Sequence, residues 1–277
     1  MALTDHSDVF GSVQEDGFNR IFQHLLLQRP SLFSYGTQWF QSNPQHLCHR
    51  IKFHPEVQRR GNPLVSVEDP LPVPGTGGRF GLDFCAQLVD VKLDLHPNNG
   101  FNLPGELDPL PRQQGALTAR FCVGLRCPDA GLSHQLGDQV AFELEQGKID
   151  PRQDDAPRLP PTPIPGERVI CFCLDVFATF GIDRIITAQG EVLVPRLRGF
   201  EIVDIRPEGL ENAMECYVEA TLRVGILPRL RFAVDVFIDG LGDFLGLAPA
   251  LTPLSPDVPN NPAIEEDQLK VFVSLGF

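Results

Sequence analysis

Proline and glycine recur along the whole chain and limit how long any helix can run. The 25 glycines and 26 prolines make up nearly a fifth of the 277 residues, whereas an average protein has about 12% of the two together. Such residues mark turns and the passages between strands. We therefore predict a single β-rich domain over residues 1–277, with long loops at about 54–80, 150–167 and 240–262.

Alternation of apolar and polar residues predicts a series of strands. It is strict over residues 89–96, which indicates one buried face and one solvated face. Similar patterns predict further strands at 117–125, 140–144, 192–198, 230–238 and 269–275. The segment 169–180 is apolar on both faces, which is typical of a strand that is covered on both sides or lines an apolar cavity.

Two amphipathic helices are predicted. The first covers about 12–28, where Ser12 and Glu15 form a capping-box pattern and Pro30 ends the helix. The second covers 208–226 and has a buried stripe at helical spacing. The residues of that stripe are Leu210, Met214, Tyr217, Val218, Thr221 and Leu222.

The order of elements is helix, strands, helix, strands, so a doubly wound parallel sheet is not expected. Over 190–236, strands reach Ile205, a helix starts near Pro207, and a strand returns from Leu230. This unit resembles the strand–helix–strand unit of the TULIP (tubular lipid-binding) superfamily, bacterial type. The resemblance implies an α+β, β-rich fold in which a twisted antiparallel sheet wraps one or two long amphipathic helices.

The resemblance also implies a ligand site. In such a fold the apolar faces form a groove for acyl chains, lined by the strand 169–180 and the helix 208–226. The expected lining residues are Ile170, Phe172, Leu174, Val176, Phe180, Met214, Val218 and Leu222.

Charge and cysteine usage exclude several classes of partner. The net charge of −13 argues against nucleic acid and against an anionic membrane surface. No apolar stretch approaches the roughly 20 residues of a transmembrane helix, and the N-terminus lacks the features of a secretory signal. The seven cysteines are odd in number and irregularly spaced, so we expect reduced, buried thiols. A cytoplasmic location follows, or incorporation into an exported or virion-like particle.

No pattern indicates catalysis, a metal or a cofactor. The cluster of His46, Cys48, His49 and His54 fits no standard zinc spacing, and it is read as a solvated loop. Acidic runs such as Asp154–Asp155 and 265–267 lie in loops and are read as solvated. We therefore expect that the protein is not an enzyme and needs no cofactor.

Two functions fit these observations. The first is a non-catalytic protein that binds a lipid or another apolar ligand, because apolar faces are in surplus. The second is a structural or adaptor subunit of a large phage-tail-like or contractile injection assembly, because the loops are long and the surface is acidic. In either case, protein partners or an assembly are expected.

Overall fold

The structure is a computed structural model of the chain. It describes residues 5–148, 160–187, 190–203 and 248–276. It also describes a few separate positions: Glu215, Glu219, Ala220, Leu222, Arg223, Leu227, Phe232 and Ala233. The predicted helix 208–226 and strand 230–238 therefore lie almost wholly outside the described residues, as does most of the predicted loop 150–167.

Strands dominate the described chain, so the β-rich, α+β character of the prediction is confirmed. The helices are α1 (Glu15–Gln28), α2 (Gln38–Ser42), α3 (Pro55–Arg59) and α4 (Ala130–Glu145). The strands are β1 (Val9–Gln14), β2 (Ser34–Gly36), β3 (Ser66–Val67), β4 (Leu71–Pro72), β5 (Phe80–Leu82), β6 (Phe84–Leu95), β7 (Gly115–Cys127), β8 (Thr162–Pro163), β9 (Arg168–Thr187), β10 (Gly190–Val203), β11 (Phe232–Ala233), β12 (Ala248–Leu251), β13 (Ala263–Glu265) and β14 (Gln268–Gly276).

The strands form three sheets. The largest has seven strands in the order β11-β10-β9-β7-β6-β2-β3. A second sheet has the order β1-β14-β12, with β13 also paired to β14, and a third has the order β4-β5-β8. The pairs β9–β10 and β1–β14 are antiparallel, whereas β2–β3 and β5–β8 are parallel.

Five of the predicted strands are confirmed as parts of β6, β7, β9, β10 and β14. The predicted strand 140–144 is wrong, because these residues belong to α4. Asp129 caps this helix by accepting a hydrogen bond from the backbone N–H of Leu132. The half-buried residues of α4 recur at helical spacing, and they include Leu132, Leu136, Val140 and Leu144. This period outweighs the short alternation over 140–144.

The first helix begins three residues later than predicted. Ser12 lies in β1 opposite Lys270 of β14, so the predicted capping box does not form. The Asn19 side chain of α1 donates to the Leu93 carbonyl and accepts from the Leu93 N–H. The helix therefore occupies backbone hydrogen-bonding groups of β6 that would otherwise be open to another strand.

The chain divides into two compact units. Unit 1 contains Met1–Phe22, Val91–Ala119 and Asp175–Phe277, and unit 2 contains Gln23–Asp90 and Arg120–Leu174. In unit 1, Leu93, Leu95 and Ile264 form a buried cluster. The partly buried residues packed against it are Phe18, Phe22, Phe180, Ile182 and Leu269.

Unit 2 has its own buried residues. Phe40, Cys85 and Cys122 are fully buried there. The predicted loop 54–80 contains α3 and the short strands β3 and β4, so it is only partly irregular. Arg126 lies over the ring of Trp39 at 4.3 Å and forms an ion pair with the buried Asp83.

Candidate functional site

Four cysteines form two disulfides in unit 2. Cys122 of β7 is joined to Cys173 of β9, and Cys171 of β9 is joined to Cys48 in the segment after α2. The prediction of reduced cysteines is therefore wrong for these four. The joined residues are 51 and 123 positions apart in the sequence, and sequence spacing alone does not reveal such pairs.

Two further cysteines are free thiols. Cys85 on β6 is fully buried, and Cys127 at the end of β7 is half-buried, whereas Cys216 lies outside the described residues. The Sγ of Cys85 lies 3.8 Å from the Sγ of Cys48. Burial raises the pKa of the Cys85 thiol, and backbone hydrogen bonds at Cys48 and Gly124 act against that rise. A buried thiol therefore neighbours a disulfide.

Gly124 provides the space that these sulfur atoms occupy. A Cβ at this position would lie 2.9 Å from the Sγ of Cys85 and 3.4 Å from the Sγ of Cys171, and closer still to the Sγ of Cys48. Non-bonded heavy atoms rest at about 3.5–4.0 Å from each other. Any side chain here would therefore collide with the sulfur cluster formed by Cys48, Cys85 and Cys171.

The opposite side of the β7–β9 pair is apolar. Side chains alternate along a strand, and Cys122 and Cys173 share one side, so their sequence neighbours lie on the other. We call that side the apolar face. Its six residues are Phe121, Val123, Leu125, Ile170, Phe172 and Leu174. Phe121 is 42% exposed, and Ile170 and Phe172 are each 46% exposed.

The expectation that the strand 169–180 is covered on both sides is wrong at its start. Cys171 and Cys173 are exposed, as are Ile170 and Phe172. The strand β10 pairs with β9 only from Asp175 onward. Within the described part of the chain, residues 168–174 therefore have only β7 as a neighbouring strand. Apolar composition indicated burial, but this end of β9 extends past β10.

The predicted lining residues are divided between the two compact units. Ile170, Phe172 and Leu174 belong to the apolar face of unit 2. Val176 and Phe180 belong to unit 1, where Phe180 packs against the cluster of Leu93, Leu95 and Ile264. Leu222 is half-buried, and Met214 and Val218 lie outside the described residues.

A carboxyl pair in unit 1 was missed by the sequence interpretation. The pKa of Glu15 is raised to about 7, chiefly by burial and also by the nearby charges of Asp94 and Asp267, against a hydrogen bond from the Leu95 N–H. The side chain of Glu15 is also hydrogen-bonded to Asp94, so a protonated Glu15 donates to the Asp94 carboxylate. The two residues are far apart in the sequence, and no local motif marks them.

Asp94, the buried member of this carboxyl pair, stabilises the backbone that follows β6. The Asp94 carboxylate accepts hydrogen bonds from the backbone N–H groups of Asn99 and Gly100. It thereby holds the loop that follows β6. Burial raises the pKa of Asp94, although these bonds act against the rise. The pair therefore connects the start of α1, the end of β6 and this loop within unit 1.

Glu15→Gln is expected to make folding stability less dependent on pH. The folded state raises the pKa of Glu15 from 4.5 to about 7, so it binds the proton more tightly than the unfolded state. Wild-type stability therefore falls as pH rises through this range. A glutamine can still accept from the Leu95 N–H and donate to Asp94. Urea unfolding below pH 4.5 and above pH 7 measures the effect.

Asp16→Asn is the matched control for this substitution. Asp16 is the next residue of α1 and is exposed, so its removal should leave the pH dependence of unfolding in place. An unchanged pH dependence in Glu15→Gln would contradict the assignment of a shared proton to Glu15 and Asp94.

Two residues of the cluster that the sequence offered as metal ligands, Cys48 and His46, make other contacts in the structure. Cys48 is in a disulfide, and the ring of His46 packs on Trp39 at 5.2 Å. Among the residues described, no three His, Cys, Asp or Glu side chains are placed to hold a metal ion. No helix in the described ranges is both long enough and apolar enough to cross a membrane.

Comparison with known proteins adds no relative. No family model matches the chain, and no curated protein or solved structure matches it either.

Proposed function

We propose that the protein binds the acyl chains of a lipid on the apolar face of unit 2 and does not act as a catalyst. The observation that carries this proposal is the exposure of Phe121, Ile170 and Phe172 on adjacent strands. Contiguous apolar side chains left open to water usually mark a binding surface. The resemblance to TULIP proteins supports the same ligand class.

The charge of the chain favours one class of lipid. A net charge of −13 repels anionic headgroups, so the proposed ligand is a zwitterionic or neutral lipid. The disulfide between Cys122 and Cys173 lies directly behind the apolar face. It holds β7 and β9 together, so the face is in place before the ligand arrives and little ordering is needed on binding.

The disulfides also bear on location. Disulfides form and persist in oxidising compartments, and the structure has two of them. We propose that the protein works outside a reducing cytoplasm. Of the two predicted locations, this favours incorporation into an exported or virion-like particle over the cytoplasm.

Phe172→Asp is expected to weaken lipid binding at least tenfold. Burial of a Phe side chain contributes about 1.5–3 kcal/mol, and about 1.4 kcal/mol corresponds to a tenfold change in affinity. Titration with pyrene-labelled phosphatidylcholine measures the affinity. Native mass spectrometry of the wild-type protein should also show co-purified lipid.

Leu254→Asp provides the matched control. Leu254 is 58% exposed and lies in a loop of unit 1, so this variant should bind the probe as the wild type does. Equal weakening by both variants, or no binding by the wild type, would overturn the proposal.

The second candidate is a structural subunit of a large assembly, such as a phage tail or a contractile injection machine. It is favoured by exposed apolar side chains of unit 2 outside the apolar face. These are Leu25, Leu27, Leu32, Tyr35, Val67, Leu71 and Phe142. Light scattering on purified protein separates the two candidates, because a stable monomer that carries lipid supports the first and a lipid-free oligomer supports the second.

A further inference from the structure

The sulfur cluster of unit 2 has the components of a thiol–disulfide exchange site. The Sγ of the free thiol Cys85 lies 3.8 Å from the Sγ of Cys48, whose disulfide partner is Cys171. Gly124 leaves the space between them free of side-chain atoms. We propose that Cys85 attacks Cys48, so that the disulfide moves from Cys48–Cys171 to Cys48–Cys85 and Cys171 becomes a free thiol.

The exchange is balanced within the protein. The Cys85 thiol loses its proton to solvent, and the thiolate forms a bond with the Sγ of Cys48. The bond between Cys48 and Cys171 breaks, and the electron pair leaves with the Cys171 sulfur, which takes up a proton. One disulfide and one thiol are present before and after, so no external oxidant or reductant takes part.

Backbone groups at the site assist the attacking sulfur. The hydrogen bonds to Cys85 come from the backbone at Cys48 and at Gly124, and both favour the thiolate over the thiol. Burial acts in the opposite direction and raises the pKa of Cys85. Because the thiolate is the reactive form, exchange at neutral pH should be slow but directed to the neighbouring Cys48.

The exchange moves a thiol from the core to the surface. Cys85 is fully buried, whereas Cys171 is an exposed residue next to Phe172. Once free, the Cys171 thiolate can attack a small disulfide of the general form RSSR. The products are a mixed disulfide at Cys171 and one RS⁻ thiolate. Cys171 is therefore the modification site, and its substrate class is low-molecular-weight disulfides.

The exchange also releases β9 from the segment after α2. The Cys48–Cys171 disulfide ties this segment to the part of β9 that carries Ile170 and Phe172. The Cys122–Cys173 disulfide still holds β9 to β7. The contact between the sulfurs of Cys85 and Cys48 is independent of whether the apolar face binds lipid.

Trapping with an alkylating reagent tests the exchange. Full-length protein, free of added thiols, is incubated with excess N-ethylmaleimide in mildly alkaline buffer, digested and mapped by mass spectrometry. We expect Cys171 to gain label with time, together with an equal amount of a peptide pair linked through Cys48 and Cys85. The absence of both products from folded wild-type protein would overturn the proposal.

Two variants assign the attacking thiol. In Cys85→Ala, labelling of Cys171 should be at least about tenfold slower, because the attacking thiolate is missing. In Cys127→Ala, labelling should match the wild type, since Cys127 is the other free thiol among the described residues. Equal labelling of Cys171 in the wild type and in Cys85→Ala would overturn the assignment.

A third variant keeps the test valid if Cys85→Ala does not fold. In Cys171→Ala, Cys48 has lost its partner and should form a disulfide with Cys85 on air oxidation. Mass spectrometry of the non-reduced digest detects that link. If both Cys48 and Cys85 remain open to alkylation after oxidation, the two sulfurs do not exchange and the proposal fails.

Oxidised glutathione identifies the modification site. After incubation with the folded wild-type protein, the added mass of one glutathione should be found on Cys171 and should be lost in Cys85→Ala. Modification of Cys85 itself in place of Cys171 would contradict the transfer of the thiol to the surface.

Discussion

Replacing both Cys122 and Cys173 with alanine is expected to lower the free energy of unfolding by about 4 kcal/mol. The disulfide joins positions 51 residues apart, so it removes much of the conformational freedom of the unfolded chain. It also joins β7 to β9 at the base of the apolar face. Urea unfolding without reductant, followed by the fluorescence of the single tryptophan Trp39, measures the change.

Two comparisons isolate the contribution of this disulfide. Cys127→Ala removes a half-buried thiol that is not in a disulfide, so its effect should be much smaller. In the presence of a reductant, the difference in free energy of unfolding between the wild type and the double variant should largely disappear. A double variant that unfolds at the wild-type urea concentration would show that the disulfide does not stabilise unit 2.

Local sequence patterns correctly predicted strands in which the alternation of apolar and polar residues is not altered by pairing with distant parts of the chain. The alternation over 89–96 and 269–275 is a property of a few adjacent residues. The first segment lies in β6 except for its last residue, His96, and the second lies in β14. The start of α1 shows the limit of such signals. Ser12 and Glu15 have the pattern of a helix cap, but pairing between β1 and β14 takes Ser12 into a strand. That pairing joins opposite ends of the chain, and no local window contains it.

The sequence located the apolar strand of the candidate site but not its surroundings. Ile170 and Phe172 were expected to be covered, and their exposure follows from where β10 stops pairing with β9, which composition does not encode. The disulfides and the Glu15–Asp94 pair are likewise products of long-range folding. Each brings together residues that have no special spacing, so only the three-dimensional arrangement reveals them.

At Gly124 the sequence shows an unusual residue for a strand, but it does not show why a glycine is needed there. A glycine inside a strand loses conformational entropy and packs no side chain, so its presence in β7 calls for a compensating contact. The structure provides that contact in the sulfur atoms of Cys48, Cys85 and Cys171, which occupy the space of a missing Cβ. The glycine therefore allows a buried thiol and a disulfide to lie side by side.

Gly124→Ala is accordingly expected to lower the free energy of unfolding by about 2–3 kcal/mol. The added methyl group would lie 2.9 Å from the Sγ of Cys85 and even closer to that of Cys48, so the disulfide or the strand must shift. The same variant should reduce the yield of the Cys48–Cys171 link in a non-reduced peptide map. Urea unfolding and peptide mapping on one preparation measure both effects.

Gly137→Ala is the control that separates collision from a general effect of removing a glycine. Gly137 lies inside α4, and apart from its chain neighbours and its own helix backbone, a Cβ there would meet no atom of the described residues within 4 Å. Alanine favours the helix over glycine by about 1 kcal/mol, so this variant should be more stable than the wild type. Opposite signs for the two substitutions are expected because only Gly124 faces the sulfur cluster. If Gly124→Ala were as stable as Gly137→Ala, the close packing of three sulfurs around β7 would be contradicted, and with it the geometry on which the exchange of disulfides depends.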